Sequence, residues 1–257
     1  MKCAVIGSPI AHSRSPQIHR AAYESLGIDW QYSIHNVGAE DVVGFISILD
    51  TTWRGLSVTM PCKQAILSVG TPDKVVEALG VGNTVIFDGI PSARSTTRIH
   101  NTDVSGIMML LGHCDPESRF QVMGNGATAR SCIYALAQLG VSHVQVRARD
   151  DTKTALLTRD GHDWGIEITP PDGEVDTVVS TVPGNVAVSW LEVIFPQLVV
   201  DVLYNPWPPL VAREAHARGI EVITGLDLLA AQAVGQVELM TGQRVEFSLL
   251  RQAAEKQ

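Results

Sequence analysis

The stretch that decides the fold is Val122-Met-Gly-Asn-Gly-Ala-Thr-Ala-Arg-Ser131. A short apolar strand, Phe120 to Met123, leads into its glycines, and the run from Ala127 to Leu139 contains good helix formers without proline or glycine. A strand, a tight glycine turn and a helix in this order direct free backbone N–H groups and the positive helix end to one point. Anions bind at such a point, above all the pyrophosphate of a dinucleotide. The stretch therefore predicts a nucleotide-binding unit.

The glycines of this turn have different expected roles. Gly124 can adopt turn angles that a side chain would forbid, and Gly126 would let the backbone approach the phosphates. The third small position holds Ala129, an accepted substitute for glycine. A glycine fingerprint also occurs at plain strand–helix corners, so this alternative stays open. We favour nucleotide binding because a strand and a helix are expected on the two sides of the turn.

Length and composition limit the classes of function. A chain of 257 residues is enough for about two domains, and 45% hydrophobic with 18% charged residues is an ordinary globular balance. A net charge of −8 and the lack of a basic cluster argue against nucleic-acid binding. No apolar run reaches the ~18 residues that span a bilayer. The start, Met1 to Gly7, has too few consecutive apolar residues for the core of a signal peptide. We therefore expect a cytoplasmic protein with neither a nucleic-acid nor a membrane partner.

The cysteines do not suggest a metal site. Cys3, Cys62, Cys114 and Cys132 are too far apart for metal-finger spacing, so we predict no bound metal. In a reducing compartment we expect free thiols, with Cys3 and Cys132 packed as small apolar residues.

Strands alternate with helices along the whole chain, which predicts an α/β fold whose sheets are mostly parallel. The second half has a Rossmann-like pattern. We place one domain at 1–103 plus 226–257 and the other at 104–225, because the long helix predicted from Leu226 to Thr241 can cross back to the first domain. Other predicted helices include Pro16–Leu26, Lys63–Val69, Thr152–Leu157 and Pro208–Arg218.

Polar residues follow several predicted strands, and ligands bind at such strand ends in open α/β sheets. The loop Gly7–Pro16 presents Ser13 and Ser15, whose hydroxyls can bind hydroxyls or a carboxylate of a small ligand. The alternative is that Ser15 caps the helix that Pro16 opens, which by itself is the more common role. A third polar residue, Asn83, is either a hydrogen-bonding amide or a turn residue.

Two ionisable residues are candidates for acid–base chemistry. Lys63 can donate a proton to a carbonyl that is being reduced, provided that it lies in a cleft. Asp103 can orient a ligand hydroxyl and hold Lys63, since an adjacent carboxylate favours the protonated amine. The alternatives are a solvated lysine at a helix start and an N-cap aspartate before Val104. Nothing in the spacing alone brings the two together.

Six motifs occur in an order that resembles the shikimate dehydrogenase family, which includes shikimate and quinate dehydrogenases. They are Gly-Ser-Pro-Ile-Ala-His-Ser-Arg-Ser-Pro (7–16), Val-Thr-Met-Pro-Cys-Lys (58–63), Gly-Asn-Thr (82–84), Asn-Thr-Asp (101–103), the glycine turn, and Gly-Leu-Asp-Leu-Leu-Ala-Ala-Gln-Ala (225–233). Six ordered motifs across nearly the whole chain are far more specific than any one of them. The resemblance implies NADP-dependent interconversion of shikimate and 3-dehydroshikimate in aromatic amino-acid biosynthesis.

The resemblance also assigns residues. It implies that 1–103 plus 226–257 binds substrate, that 104–225 binds NADP, and that Lys63 and Asp103 form the catalytic pair. The substrate residues that it implies are Ser13, Ser15, Thr59, Lys63, Asn83, Asp103, Tyr204 and Gln232. The cofactor residues that it implies are Gly124, Asn125, Gly126, Ala127, Thr128, Arg149, Lys153, Thr181, Val182 and Gly225.

The choice of cofactor depends on two basic residues. Arg149 and Lys153 are the candidates for holding the 2′-phosphate that distinguishes NADP from NAD. Asp150 and Asp151 crowd them, and the alternative is a solvated turn.

The chain departs from the family pattern in three places. Ser57 stands where the family has Asn, Val104 where it usually has Gly, and Ser180–Gly184 where it has Asn-Ala-Thr or similar. These departures leave open a paralogue that acts on quinate or an amino analogue, although two serines in the first loop favour shikimate.

Two other functions are alternatives. A folate-type methylene dehydrogenase has a similar two-domain plan, but the short hydroxyl-rich loops favour a small polyol acid. A non-catalytic nucleotide-binding regulator is disfavoured by the presence of both Lys63 and Asp103. We expect a monomer or a homodimer.

Overall fold

The computed structural model describes residues 1–256 and divides the chain into two compact units. The front unit comprises Met1–Gly106 and the residues from Leu229 onward, and the rear unit comprises Ile107–Leu228. The predicted boundaries at 103 and 226 fall three residues from these limits. Within residues 1–256, no helix has the length and apolar character needed to cross a membrane.

The first part of the chain forms six strands and four helices, the last of which continues past Gly106. In chain order they are β1 (Lys2–Gly7), α1 (Ser15–Ser25), β2 (Gln31–Asn36), α2 (Val42–Ser47), β3 (Trp53–Val58), β4 (Thr71–Pro72), α3 (Lys74–Leu79), β5 (Thr84–Phe87), β6 (Thr97–His100) and α4 (Thr102–Leu111). Short 3₁₀ turns occupy Ala65–Ser68 and Arg94–Thr96. The helix predicted from Lys63 to Val69 is therefore wrong, since only the first of these short turns forms there.

The rear unit supplies the remaining strands. Its elements are β7 (Phe120–Met123), α5 (Ala127–Gln138), β8 (His143–Arg147), α6 (Asp151–Asp163), β9 (Glu167–Thr169), β10 (Thr177–Ser180), α7 (Gly184–Leu191), β11 (Leu198–Asp201), α8 (Leu210–Ala217) and β12 (Glu221–Ile223). The chain then forms α9 (Gly225–Thr241) and α10 (Phe247–Glu255).

The front sheet has the order β2-β1-β3-β5-β6-β4. Three of its pairings are parallel, and the two made by β5 are antiparallel. Because β5 runs against both neighbours, its first residue Thr84 lies opposite Ser57 near the end of β3 and His100 at the end of β6. The start of β5 therefore shares one sheet edge with the carboxyl ends of β3 and β6.

The rear sheet has the order β12-β11-β10-β7-β8-β9, and all of its pairings are parallel. The sequence order reverses between β7 and β10, and the carboxyl ends of strands at such a point form a ligand-binding crevice. The predicted Rossmann-like pattern of the second half and the α/β class are thus confirmed.

Apolar side chains fill both units. Ile6, Leu56, Val85 and Ile99 are fully buried in the front core, where each aliphatic side chain contributes about 1.5–3 kcal/mol relative to exposure. Cys3 and Cys132 are buried free thiols, as predicted.

The helix α6, Asp151–Asp163, is longer than the predicted Thr152–Leu157, and it continues through Gly161. A Cβ on Gly161 would lie 2.7 Å from the Ile168 side chain and 3.1 Å from the Ile166 carbonyl oxygen. Glycine at this position therefore allows the strand β9 to lie close to the helix, and does not stop it.

The buried Asp201 at the end of β11 predicts a pH-dependent stability. Burial raises the pKa of its carboxyl to about 6 from 3.8, although the Leu203 N–H donates to it at 3.3 Å. Because the folded state holds this proton more tightly than the unfolded state, the contribution of the Asp201 carboxyl to stability is greatest below pH 4 and is lost as the pH rises through 6. Asp201→Asn removes this titration. The change in unfolding free energy from pH 4 to pH 8 should therefore be more favourable in the variant than in wild type by about 2–3 kcal/mol. Urea unfolding at both pH values measures this change, and an unchanged pH dependence would contradict the assignment.

Candidate active site

Lys63 and Asp103 meet in the front unit. Their Nζ and Oδ2 atoms lie 2.6 Å apart, and the side chains are only 14% and 9% exposed. The alternative of a solvated lysine is therefore wrong. Forty residues of chain separate the two. The strand β5 lies between β3 and β6 and runs antiparallel to both, so the carboxyl ends of β3 and β6 lie at one edge and bring the two residues together.

Asp103 is not the N-cap of its helix. It is the second residue of α4, and its N–H donates to the Asn101 side-chain oxygen at 3.1 Å. The capping alternative for Asp103 is therefore wrong. Its carboxylate stands in the first turn, where the helix macrodipole stabilises negative charge.

The amide of Asn83 holds the other carboxylate oxygen. Its Nδ2 donates to Asp103 Oδ1 at 2.8 Å and to Thr102 Oγ1 at 3.0 Å. The Thr102 N–H, which can only donate, points at Asn83 Oδ1 at 2.8 Å, so the amide nitrogen must face the carboxylate. Asn83 is 2% exposed, and its role is more than that of a turn residue.

Gln232 joins this cluster from α9. Its Oε1 lies 3.3 Å from Asn83 Nδ2 and 3.4 Å from Thr102 Oγ1, and its Nε2 donates to the Leu229 carbonyl at 2.8 Å. Four of the predicted substrate residues, Lys63, Asn83, Asp103 and Gln232, are thus brought together.

The serine loop lies at the same edge. The helix α1 begins at Ser15 with Arg14 as the N-cap residue, so the capping alternative for Ser15 is wrong. Ser13 Oγ accepts from the Ser15 N–H at 3.3 Å, and Ser15 is buried at the start of the helix. Both hydroxyls therefore belong to an ordered turn.

Thr59 lies against the end of β1. A Cβ on Gly7 would come within 2.5 Å of the Thr59 methyl group and 2.8 Å of the Met60 carbonyl oxygen. Only glycine at this position lets the strand end approach the turn that carries Thr59.

Sequence reasoning missed several members of this cluster. The hydroxyl of Ser57 accepts from Tyr32 at 2.5 Å and donates to Gln236 at 2.7 Å, and Thr102 bonds both amides described above. The available signal was spacing, because Gln236 is four residues after Gln232 and therefore lies on the same helix face.

The glycine turn of the rear unit forms as predicted. Gly124 has φ +116°, a conformation that favours glycine, and its N–H donates to the Arg147 carbonyl at 2.9 Å. Gly126 has φ −86°, which any residue can adopt, and a Cβ there would meet no atom within 4 Å. The helix α5 begins at Ala127, so its amino end, including Thr128, follows the open side of the turn.

Polar side chains brace this turn from inside the rear unit. Asn125 Nδ2 donates to the Asp150 carbonyl at 2.8 Å and to Thr154 Oγ1 at 3.0 Å, and Thr181 Oγ1 donates to the Met123 carbonyl at 2.8 Å. Val182, which follows Thr181, is half-buried.

Two further predicted residues lie elsewhere in the same unit. Tyr204 follows β11 and is half-buried. Gly225 begins α9, and a Cβ there would lie 2.5–2.6 Å from the Leu203 carbonyl group.

Arg149 and Lys153 are exposed at the carboxyl end of β8. Lys153 Nζ lies 3.5 Å from Asp150 Oδ2, and Asp150 caps α6 by accepting from the Lys153 N–H at 3.0 Å. The position of the Asp150 carboxylate beside the two cations is therefore explained by its role as the cap of α6. No group of three or more His, Cys, Asp or Glu residues within 1–256 is placed to hold a metal ion.

The chain is similar to known proteins along nearly its whole length. Residues 5–85 match the family described as the shikimate dehydrogenase substrate binding domain. A shikimate dehydrogenase (NADP(+)) of Natronomonas pharaonis is 32% identical over 266 residues, which cover 97% of this chain and 96% of that relative.

Two solved structures are similar in sequence and in fold. The shikimate dehydrogenase of Mycobacterium tuberculosis has a TM-score of 0.90 at 34% identity, with 98% of each chain covered. The shikimate 5-dehydrogenase of Thermus thermophilus, solved in complex with NADP(H) and shikimate, has a TM-score of 0.83 at 27% identity, covering 99% of this chain and 98% of that one.

Proposed function

The chain belongs to the shikimate dehydrogenase family, and we propose that it catalyses the reversible, NADPH-dependent reduction of 3-dehydroshikimate to shikimate in aromatic amino-acid biosynthesis. The observation that carries this proposal is the nearly buried ion pair of Lys63 and Asp103, with the Asn83 amide on the second carboxylate oxygen. A cation in such a position is suited to a carbonyl oxygen that gains a proton.

The residues of the rear unit fit NADP. The positive φ of Gly124 and the open space beside Gly126 leave the amino end of α5 accessible to a pyrophosphate. The cations Arg149 and Lys153 stand after the next strand, where the adenosine ribose of a dinucleotide is bound. We assign the extra phosphate of NADP to these two side chains.

Lys63 acts as the general acid in the reductive direction. NADPH, when bound, supplies the hydride to the carbonyl carbon. The Lys63 ammonium donates a proton to the carbonyl oxygen, so that the C=O double bond becomes an alcohol, and its 14% exposure lets it regain a proton from water. In the opposite direction the neutral amine accepts the proton of the alcohol.

Asp103 and its partners position that amine. The carboxylate fixes Lys63 through one oxygen and is itself held through the other by Asn83. Such preorganisation puts the proton donor in place before the reaction begins.

The remaining polar residues of the front unit are assigned to the substrate. Ser13 and Ser15 bind its carboxylate, and Thr59, Asn83 and Gln232 bind its hydroxyl groups, as their hydrogen-bonding capacities allow. The assignment of Tyr204 to the substrate stays a prediction. The cytoplasmic location and the monomeric or homodimeric state stay predictions.

One absorbance assay tests the proposed function. The chain is mixed with shikimate or quinate and with NADP⁺ or NAD⁺, and nicotinamide reduction is followed at 340 nm. We expect the highest kcat/KM with shikimate and NADP⁺, by at least about tenfold over quinate, since a missing or extra polar contact in a built site is discriminated at least that strongly. Preferential turnover of quinate would assign the chain to a paralogue, and tight NADPH binding without turnover of either acid would indicate a regulator.

A further inference from the structure

A continuous chain of hydrogen bonds leads to the catalytic pair from deep in the front unit. It runs through Tyr32, Ser57, Gln236, Thr84, Asn83 and Asp103. Every member of this chain, which we call the buried relay, is less than 10% exposed. Buried polar groups are costly unless each is satisfied, so the completeness of the buried relay is informative.

The amide of Gln236 links the two halves of the buried relay, and its orientation is determined. Its Nε2 lies 3.2 Å from the main-chain oxygen of Asn83, which can only accept, and 3.0 Å from Thr84 Oγ1. The Oε1 atom must therefore face the opposite side, where Ser57 Oγ donates to it at 2.7 Å.

A neutral histidine completes the acceptor side of Gln236. His19 Nε2 lies 3.2 Å from Gln236 Oε1 and must carry the hydrogen, since the oxygen only accepts. Burial lowers the pKa of His19 to about 4, so the ring stays neutral, and it stacks on Tyr32 with centroids 4.1 Å apart. Both polar atoms of the Gln236 side chain are thus satisfied by fixed partners.

The other half of the buried relay ends at the reacting groups. Thr84 Oγ1, which accepts from Gln236, donates to Asn83 Oδ1 at 2.8 Å. Asn83 Nδ2 donates to Asp103 Oδ1, whose second oxygen holds Lys63. Gln236 therefore holds both the backbone and, through Thr84, the side chain of Asn83.

We propose that Gln236 is a positioning residue, which acts through Asn83 to hold Asp103 and Lys63 in the geometry that proton transfer needs. This inference rests on the proposed function. Gln236 touches neither member of the catalytic pair directly. Its effect should appear in the chemical step and not in the binding of the cofactor.

The first test replaces Gln236 by methionine, which has similar length and no amide. Gln236→Met should lower kcat about tenfold, because a displacement well below 1 Å at a proton donor already costs rate, and should leave KM for NADP⁺ unchanged. Val237→Ala is the matched control: Val237 is fully buried on the same helix, and its truncation lowers the melting temperature without touching the buried relay. We expect Val237→Ala to keep its kcat within about twofold of wild type.

The second test asks whether the link through Thr84 carries the effect. Thr84→Val keeps the shape of the side chain and removes the hydroxyl, so it should lower kcat by a similar factor. The double variant Gln236→Met/Thr84→Val should be no slower than the slower single variant.

The proposal would be overturned if the two substitutions lowered kcat by factors that multiply in the double variant. A kcat of Gln236→Met close to that of wild type would also overturn the proposal. The same holds if Gln236→Met loses no more kcat, for its loss of melting temperature, than Val237→Ala does. Should Gln236→Met fail to fold, Thr84→Val alone must lower kcat without raising KM for NADP⁺. The wild-type chain is assayed beside each variant, so a failure of the proposed function would appear as absent wild-type turnover.

Discussion

Lys63→Ala is expected to lower kcat by about 10²–10⁴-fold, the usual contribution of a positioned general acid or base. Without the ammonium, the ion pair no longer offers a proton donor to the developing alkoxide, since both oxygens of Asp103 act as hydrogen-bond acceptors. The Michaelis constant for NADP⁺ should change little, because the glycine turn that we assign to it belongs to the rear unit. Steady-state rates at 340 nm, with shikimate and NADP⁺ varied in turn, measure both quantities.

Lys63→Arg separates charge from proton transfer in this experiment. A guanidinium keeps the positive charge beside Asp103 but does not release its proton at neutral pH. We expect its kcat to stay at least about 10²-fold below wild type. A kcat near that of wild type in Lys63→Ala would exclude the role of Lys63 as the acid.

Asp103→Asn should have the second-largest effect, a loss of about 10²-fold or more in kcat. The carboxylate now accepts from Lys63 through one oxygen and from Asn83 through the other. An asparagine amide offers one oxygen and one NH₂ group, so in either orientation a donor of the new residue faces the donor of a neighbour. One contact is lost, and the ammonium loses its counter-charge in a nearly buried site.

The control for Asp103→Asn is the same substitution at Asp29, an exposed residue that is not among the proposed site residues, which removes one negative charge. Its kcat should match that of wild type. Equal rates for Asp103→Asn and Asp29→Asn would show that the carboxylate is dispensable, and the positioning role of Asp103 would fail.

The fold of the rear unit was readily predictable because its signals are local. The glycines at 124 and 126 stand between a strand and a helix that periodicity and composition both indicate, and the parallel sheet follows from the strand–helix alternation. The motif of residues 101–103 likewise predicts polar groups at a strand end. These features depend on neighbours in sequence, which a pattern can reveal.

The ion pair of Lys63 and Asp103 was not predictable from spacing. Lys63 and Asp103 meet because β5 lies between β3 and β6 and runs antiparallel to both, and the alternation of strands and helices does not give the order of strands in the sheet. Only the resemblance to a family paired the two residues.

Other features that the sequence did not reveal also depend on residues that are distant in the chain. Gln236 is one more polar residue on a helix, and its value comes from partners 152 and more positions earlier in the chain. The helix α6 continues past its predicted end at Leu157, and its Gly161 lies against the Ile168 side chain. The helices α7 and α10 were not predicted at all.

The most direct test of the central claim is the distance from Lys63 Nζ to the 3-hydroxyl oxygen of shikimate in a crystal structure of the chain with shikimate and NADP⁺. We predict hydrogen-bond contact at about 2.7–3.2 Å, with the Asp103 ion pair intact. A separation beyond about 4 Å, with another side chain or no side chain on that oxygen, would contradict the assignment of Lys63 as the proton donor.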